Sequence, residues 1–437
     1  MRTHLELLEW QRIDPSSMRQ LAGLSFDGDP AARRLAAELS THQWVSILEL
    51  RQGIQIQTSS FVGNLRLGEL NLNIKPKIGF DVLAVLFRYA YGWHDLHLLP
   101  TAKQETAAAT FQDLFIHQLT AEADHLVARG VFRQYRQHDN YLASPRGRLN
   151  LHQLVADGGV RAAEIACTHH ERSADNMLNQ ALLAGLLFAA GQTDNLLLRT
   201  RLRRLASMLD MVVTRQRLTH DLLEDALRSL SRLNLAYKPA LQLIGMLYEG
   251  SGVVFAGDHV SKIPLPGFLF DMNRFFEQLL TRFLAENLVG YTVKDQHRLT
   301  EMMTYRQGSN PRGRRSPTPR PDIAILRDGK LVGLFDAKYK DLWENPLPHD
   351  MLYQLAVYAL SQPAQRVATI LYPTTDIAAK DQIVNIHEPV ARSVQGQVVL
   401  RPVQLAALAG AIGQSGVAGG RARRNLAHRM VEASGVR

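Results

Sequence analysis

The segment Pro321-Asp-Ile-Ala-Ile-Leu-Arg-Asp-Gly-Lys-Leu-Val-Gly-Leu-Phe-Asp-Ala-Lys338 sets two short apolar runs on either side of Asp328-Gly329, a hairpin signal. Asp322 opens the first run, and Asp336-Ala337-Lys338 closes the second. Strand side chains alternate, so Asp336 and Lys338 share a face. Register decides whether Asp322 joins them. A regular two-residue loop at Asp328-Gly329 pairs Asp322 with Phe335 and turns Asp336 away. A three-residue loop, Arg327 to Gly329, pairs Asp322 with Leu334 and brings both carboxylates to one face. An odd loop or a bulge is therefore expected.

Two carboxylates and an ammonium at one sheet edge suit metal-dependent hydrolysis of a phosphodiester. Mg²⁺ or Mn²⁺ takes oxygen ligands, which Asp322, Asp336 and the backbone carbonyl of Ala337 can supply. Such an ion acidifies water and offsets charge on the phosphate. Lys338 can orient the water or stabilise the transition state. The sequence identifies no general base.

Upstream, Phe270-Asp-Met-Asn-Arg-Phe-Phe-Glu-Gln-Leu-Leu-Thr-Arg-Phe-Leu284 has apolar residues at helical spacing, with Glu277 at the edge of the stripe as a further metal-ligand candidate. Downstream, His349-Asp-Met-Leu-Tyr-Gln-Leu-Ala-Val-Tyr-Ala359 is a second helix candidate. Its Asp350, Gln354 and Tyr358 fall four residues apart, on one polar face, as supporting residues. Taken singly, each piece has an ordinary structural reading: a solvated Glu, an exposed strand Lys, an amphipathic face. Taken in order, they resemble the PD-(D/E)xK nuclease fold, and the Gln-x-x-x-Tyr helix resembles its RecB-type branch.

Further segments narrow the resemblance. Phe61-Val-Gly-Asn-Leu-Arg-Leu-Gly-Glu-Leu-Asn-Leu-Asn-Ile-Lys-Pro-Lys-Ile78, Val82 to Ala90, Tyr141 to Leu149, Ser173 to Asn179 and Ile370-Leu-Tyr-Pro373 together resemble the McrC family, the nuclease subunits of McrBC-type modification-dependent restriction systems. The likeness runs from about residue 42 to 375, leaving the first forty residues and the segment after 400 outside it. It implies an McrB-like AAA+ GTPase ring that recognises methylated DNA and moves it. It also implies an N-terminal region that engages and stimulates that ring, and a C-terminal domain that cuts double-stranded DNA. Asp322, Asp336 and Lys338 take the catalytic positions, with Glu277 beside them. Lys75, Lys77, Arg146 and Arg148 are candidates for stimulating the partner.

Composition agrees with that division of labour. No Gly-x-x-x-x-Gly-Lys-Ser/Thr loop occurs, so this chain is expected to bind no nucleotide of its own. A formal charge of +9 suits a polyanionic partner. The Pro-rich stretch from Gly308 to Arg320 carries Arg312, Arg314, Arg315 and Arg320, DNA-binding candidates on an expected mobile loop. The single cysteine, Cys167, excludes both an intramolecular disulfide and a four-thiolate iron–sulfur cluster. With neither signal sequence nor membrane span, a cytoplasmic location is expected.

The expected architecture is α+β. It comprises a β-rich ring-binding region over 1–155, a helical middle over 156–255, a PD-(D/E)xK restriction-endonuclease-like domain over 256–405 and a basic flexible tail over 406–437. Cutting both strands requires a homodimer contact or two successive cuts. Two other readings stay open: a stand-alone RecB-type repair or phage-defence nuclease, and a non-cutting subunit that assembles or stimulates a ring NTPase.

Overall fold

A computed structural model describes residues 3–93, 111–158, 163–256, 259–262, 265–362 and 366–432. The fold is mixed α+β, as expected. It divides into two compact units, one formed by 1–96 together with 265–437, the other by 97–264. The expected linear boundaries at 155, 255 and 405 are therefore not those of the structure: sequence from both flanks builds one unit.

Strand pairing explains the difference. Gly267–Asp271 pairs antiparallel with Phe61–Leu67, with Phe270 opposite Val62. The sheet runs in the order Thr3–Leu8, Leu70–Lys75, Phe61–Leu67, Gly267–Asp271, and its first pair is parallel. The first forty residues thus belong to the same unit as the hairpin at 323–337. Periodicity reveals that a strand exists, but not which strand it meets. The pairing depends on Gly63, at φ 138°, where an added Cβ would stand 2.1 Å from the Phe268 carbonyl oxygen. Gly63→Ala is expected to cost more than about 1 kcal/mol, seen as a lower melting temperature.

The second large sheet of this unit runs Thr292–Asp295, Ile323–Arg327, Lys330–Ala337, Val367–Thr374, Val394–Gln404, Gln382–His387. Lys330–Ala337 and Val367–Thr374 are parallel and need a crossover, which helix His349–Ser361 supplies. That helix buries Leu355, Tyr358 and Ala359 with Ala324, Leu334, Ala368, Ile370 and Val398. Helix Met272–Asn287 buries the predicted stripe, from Met272 through Phe275, Phe276, Leu279, Leu280 and Phe283 to Leu284. Asp271 caps it, accepting from the Asn273 amide at 2.8 Å.

The expected flexible tail is instead helical, over Leu405–Gly413 and Gly416–Val431. Its Gly and Ala content hid an anchor. Buried Arg401 donates to the carbonyls of Arg429, Met430 and Glu432 at 3.0, 2.9 and 2.7 Å and pairs with Asp381 at 2.8 Å. A cation at a helix C-terminus satisfies carbonyls that lack intrahelical partners.

The other unit holds helices Phe111–Ala128, Met177–Gln192, Leu196–Asp210, His220–Arg228 and Lys238–Gly250. It also holds a three-stranded antiparallel sheet of Gln134–Leu142, Ile165–Ser173 and Arg148–Leu149. Cys167 and His169 are buried on the middle strand. Among the described residues, no helix is long and apolar enough to cross a membrane.

Candidate active site

The hairpin resolves the register question by a bulge. Arg327 faces Lys330 across a two-residue loop whose Asp328 and Gly329 both take positive φ, at 50° and 75°. The expected three-residue loop is absent. Instead the register shifts between Ile325, which faces Gly333, and Leu326, which faces Leu331, leaving Val332 as the extra residue. Ile323 then faces Phe335, and one step further Asp322 comes opposite Asp336. Both carboxylates point to one face, as the chemistry requires.

Asp322 is fixed from two sides. Its Oδ2 accepts from the Ala337 amide at 2.9 Å, and its Oδ1 accepts from Gln296 Nε2 at 3.1 Å. The Gln296 amide donates to the Asp322 carbonyl at 2.8 Å, and its side chain also donates to Glu277 Oε1. Gln296 follows the strand Thr292–Asp295 at φ 45°, an uncommon value for a residue with a side chain. No motif marks it in the sequence, so sequence reasoning missed it. Gln296→Ala is expected to leave Asp322 and Glu277 without their shared donor and to cut activity about ten-fold, read as kcat in a cleavage assay.

Glu277 stands beside the pair, sharing the Gln296 donor with Asp322 and raised by the Asp322 charge. Among the described residues, no three His, Cys, Asp or Glu side chains form a group that could hold a metal ion. The acidic centre is the pair Asp322 and Asp336, and Glu277 reaches it through Gln296.

The pair is electrostatically strained. Burial, then the neighbouring Asp322 carboxylate and a hydrogen bond to it, push Asp336 up to about 8, against the opposing charge of Lys338. Glu277 is raised too, by burial first and by Asp322 second. Two acids this close hold a proton between them unless a cation takes its place. Between Asp336 and Lys338, Ala337 presents a backbone carbonyl, its amide being held by Asp322 Oδ2 at 2.9 Å. Two carboxylates and that carbonyl are therefore a donor set suited to a hard divalent cation.

A pH prediction follows from the raised acid. The folded chain keeps a proton on Asp336 that the unfolded chain releases near pH 4. This contribution is full at lower pH and is lost as pH rises through about 8. In chelator the melting temperature should fall progressively as pH rises from about 5 to 8 and then level off, and Mg²⁺ should restore it. A melting temperature indifferent to Mg²⁺ across that window would contradict the assignment.

Lys338 lies where its charge lowers the pKa of both Asp336 and Asp271. Its amide donates to the Leu371 carbonyl at 3.0 Å, and its side chain lines a cleft of about 560 Å³ with Asp271 and Asn273. Gln354 Nε2 donates to the Tyr358 hydroxyl at 2.9 Å. Tyr358 is only 2 % exposed, whereas Asp350 and Gln354 are exposed, so the expected single polar face is not formed. The Tyr358 hydroxyl is raised by burial and, further down, by the charges of Asp336 and Asp322. Arg312, Arg314, Arg315 and Arg320 are all exposed. Arg320 Nε donates to the Gln296 carbonyl at 3.1 Å, which sets the end of the basic loop beside the site. Asn310 ties the rest of that loop into a turn through Arg314.

No curated protein matches the chain. A solved chain from a refined half-complex of the tetradecameric assembly of Thermococcus gammatolerans McrB AAA+ hexamers with bound McrC is similar in fold. It is 20% identical with a TM-score of 0.61, over 98% of this chain and 100% of that one. A chain from the Thermococcus gammatolerans McrBC complex is 21% identical with a TM-score of 0.48, over 66% of this chain and 89% of that one. The family model described as the McrBC 5-methylcytosine restriction system component matches residues 56–373, a span that takes in both carboxylates, Lys338 and the strand pairing at 61–67. The chain belongs to that family.

Proposed function

We propose that this chain is the DNA-cutting subunit of an McrBC-like restriction system, a PD-(D/E)xK endonuclease that works when an AAA+ GTPase partner delivers modified DNA. The observation that carries this reading is the bulged hairpin, which sets Asp322 opposite Asp336 beside Lys338. Asp322, Asp336 and the Ala337 carbonyl would hold Mg²⁺ or Mn²⁺, which when bound supplies Lewis acidity to water and phosphate.

The remaining work falls to the chain itself. Gln296 and the Ala337 amide hold Asp322 in one rotamer, so little reorganisation is needed during reaction. The Lys338 ammonium offers positive charge where negative charge builds on the phosphate. Glu277, raised by burial and then by the Asp322 carboxylate, is the further acid beside the pair that can take up or give a proton. The exposed arginines 312, 314, 315 and 320 suit backbone phosphates. One such site cuts one strand, so double-strand cleavage takes two copies or two successive cuts.

The partner supplies the motor, since this chain has no phosphate loop of its own. In the 97–264 unit, the strand Gln134–Leu142 is exposed along most of its length, and Arg146 and Arg148 beside it are exposed as well. That surface is the better candidate for stimulating the ring, because Lys75 is already paired with Glu6 at 2.8 Å. Replacing Arg146 and Arg148 together by Ala should lower partner GTP hydrolysis several-fold in a turnover assay.

The test of the whole reading is cleavage of methylated duplex DNA by chain plus partner, with GTP and Mg²⁺ and then with chelator. Cutting by the chain with Mg²⁺ alone would favour a stand-alone nuclease. GTPase stimulation with intact DNA under every metal would favour a non-cutting subunit.

A further inference from the structure

Tyr339, the residue after Lys338, is gripped from two segments. Trp10 Nε1 donates to its carbonyl at 2.8 Å, and its own amide donates to Asn273 Oδ1 at 3.0 Å. Its hydroxyl donates to Glu9 Oε1 at 3.0 Å, and its ring meets Phe276 edge-on at 5.9 Å. Next along, the Lys340 ammonium sits 5.6 Å from the centre of the Trp10 ring. Glu9 is 2 % exposed, receives the Lys77 amide at 2.9 Å and keeps its second oxygen buried with no partner among the described residues. Burying a carboxyl with one oxygen unsatisfied is costly, so the contact it makes calls for a reason.

We infer that Glu9 and Trp10 are positioning residues for Lys338: they clamp Tyr339 and thereby fix the strand end from which the lysine projects. This rests on the nuclease reading of Lys338. The geometry is specific. The strand proper ends at Ala337, and beyond it the ladder contact is the Lys338 amide on Leu371. Past that point the chain leaves the sheet, and Tyr339 is held at carbonyl, amide, ring and hydroxyl by residues 9, 10, 273 and 276. A lysine set between an anchored strand and an anchored tyrosine has little backbone freedom left. Catalysis is sensitive to displacements of about 1 Å in such groups.

Two of the four contacts come from the chain's first ten residues, which the family-model match at 56–373 does not include. The N-terminal strand Thr3–Leu8 delivers them through its parallel pairing with Leu70–Lys75. Its role in this unit is thus to bring Glu9 and Trp10 to the end of the catalytic strand.

The experiment uses the full chain with its AAA+ partner, GTP, Mg²⁺ and methylated duplex. Tyr339→Phe, which removes one oxygen and keeps the ring, and Glu9→Ala should each lower kcat about ten-fold with KM for DNA unchanged. Glu9→Gln should restore most of the rate: burial holds the Glu9 carboxyl up to about 7, so the buried position needs an acceptor more than a charge. An unchanged kcat in Tyr339→Phe, or a Glu9→Gln as slow as Glu9→Ala, overturns the inference. Hydrogen exchange on the unmixed chain gives a readout that needs no cleavage. The amides of Lys338 and Tyr339 should exchange faster in Tyr339→Phe and Trp10→Ala, while those of 367–374 keep their protection. Unaltered exchange at 338 and 339 overturns the clamp even if the chain proves not to cut DNA. Failure of the nuclease reading alone would show as an inactive wild-type chain with the exchange effect intact.

Discussion

Asp336→Ala should lower partner-driven DNA cleavage by a factor of about 10³ or more while leaving stimulation of the partner's GTP hydrolysis in place. Asp336 faces Asp322 across the hairpin, so alanine removes half of the carboxylate pair in a single step. Asp336→Asn should be nearly as damaging, because the amide keeps the shape but cannot supply the anionic oxygen. Lys338→Ala should lose about 10²- to 10³-fold, the usual cost of one transition-state contact. Strand scission on methylated duplex measures the first effect, and phosphate release from GTP provides the control. Full cutting by either alanine variant with Mg²⁺ present would remove the active site from this hairpin.

The largest effect on stability is expected at Arg401. Its side chain is almost wholly buried and serves Asp381 through Nε and Nη2 and the last carbonyls of the C-terminal helix through Nη1. Arg401→Ala would remove the bonds that this one side chain makes to a carboxylate and to helix carbonyls, a change that costs about 3–5 kcal/mol. Lysine should not rescue it, because one ammonium cannot reproduce a planar fork that meets both groups at once. Urea unfolding would show a lower midpoint, and limited proteolysis would cut first between 405 and 432. A variant with an unaltered midpoint would mean that the helix is held by its apolar contacts alone.

Much of the site was legible because strand and helix periods are local. Alternation placed Asp336 and Lys338 together, and the parity argument required an irregularity between Asp322 and Asp336. Which residue absorbs the irregularity was not legible: Asp-Gly suits a two-residue turn, so the strain passed to Val332, an unremarkable strand residue. Gln296 was invisible because a lone glutamine gains meaning only when tertiary structure puts Glu277 and Asp322 on either side of it. The helix period gave 349–359 correctly, yet Tyr358 turned inward, since its apolar ring outweighed its hydroxyl. Pairing between 61–67 and 267–271 spans two hundred residues and leaves no local trace. Neither does Arg401, whose helix partners are bound through backbone oxygens that every residue possesses.

The insertion of one unit within another has a consequence for synthesis. On the ribosome, residues 61–67 emerge long before 267–271, so an edge of the first sheet waits unpaired while the whole of 97–264 is made and can close on itself. The guest can therefore fold before its host. The hairpin bearing Asp322 and Asp336 emerges later still, so no nascent chain can assemble the carboxylate pair until most of the polypeptide has left the exit tunnel.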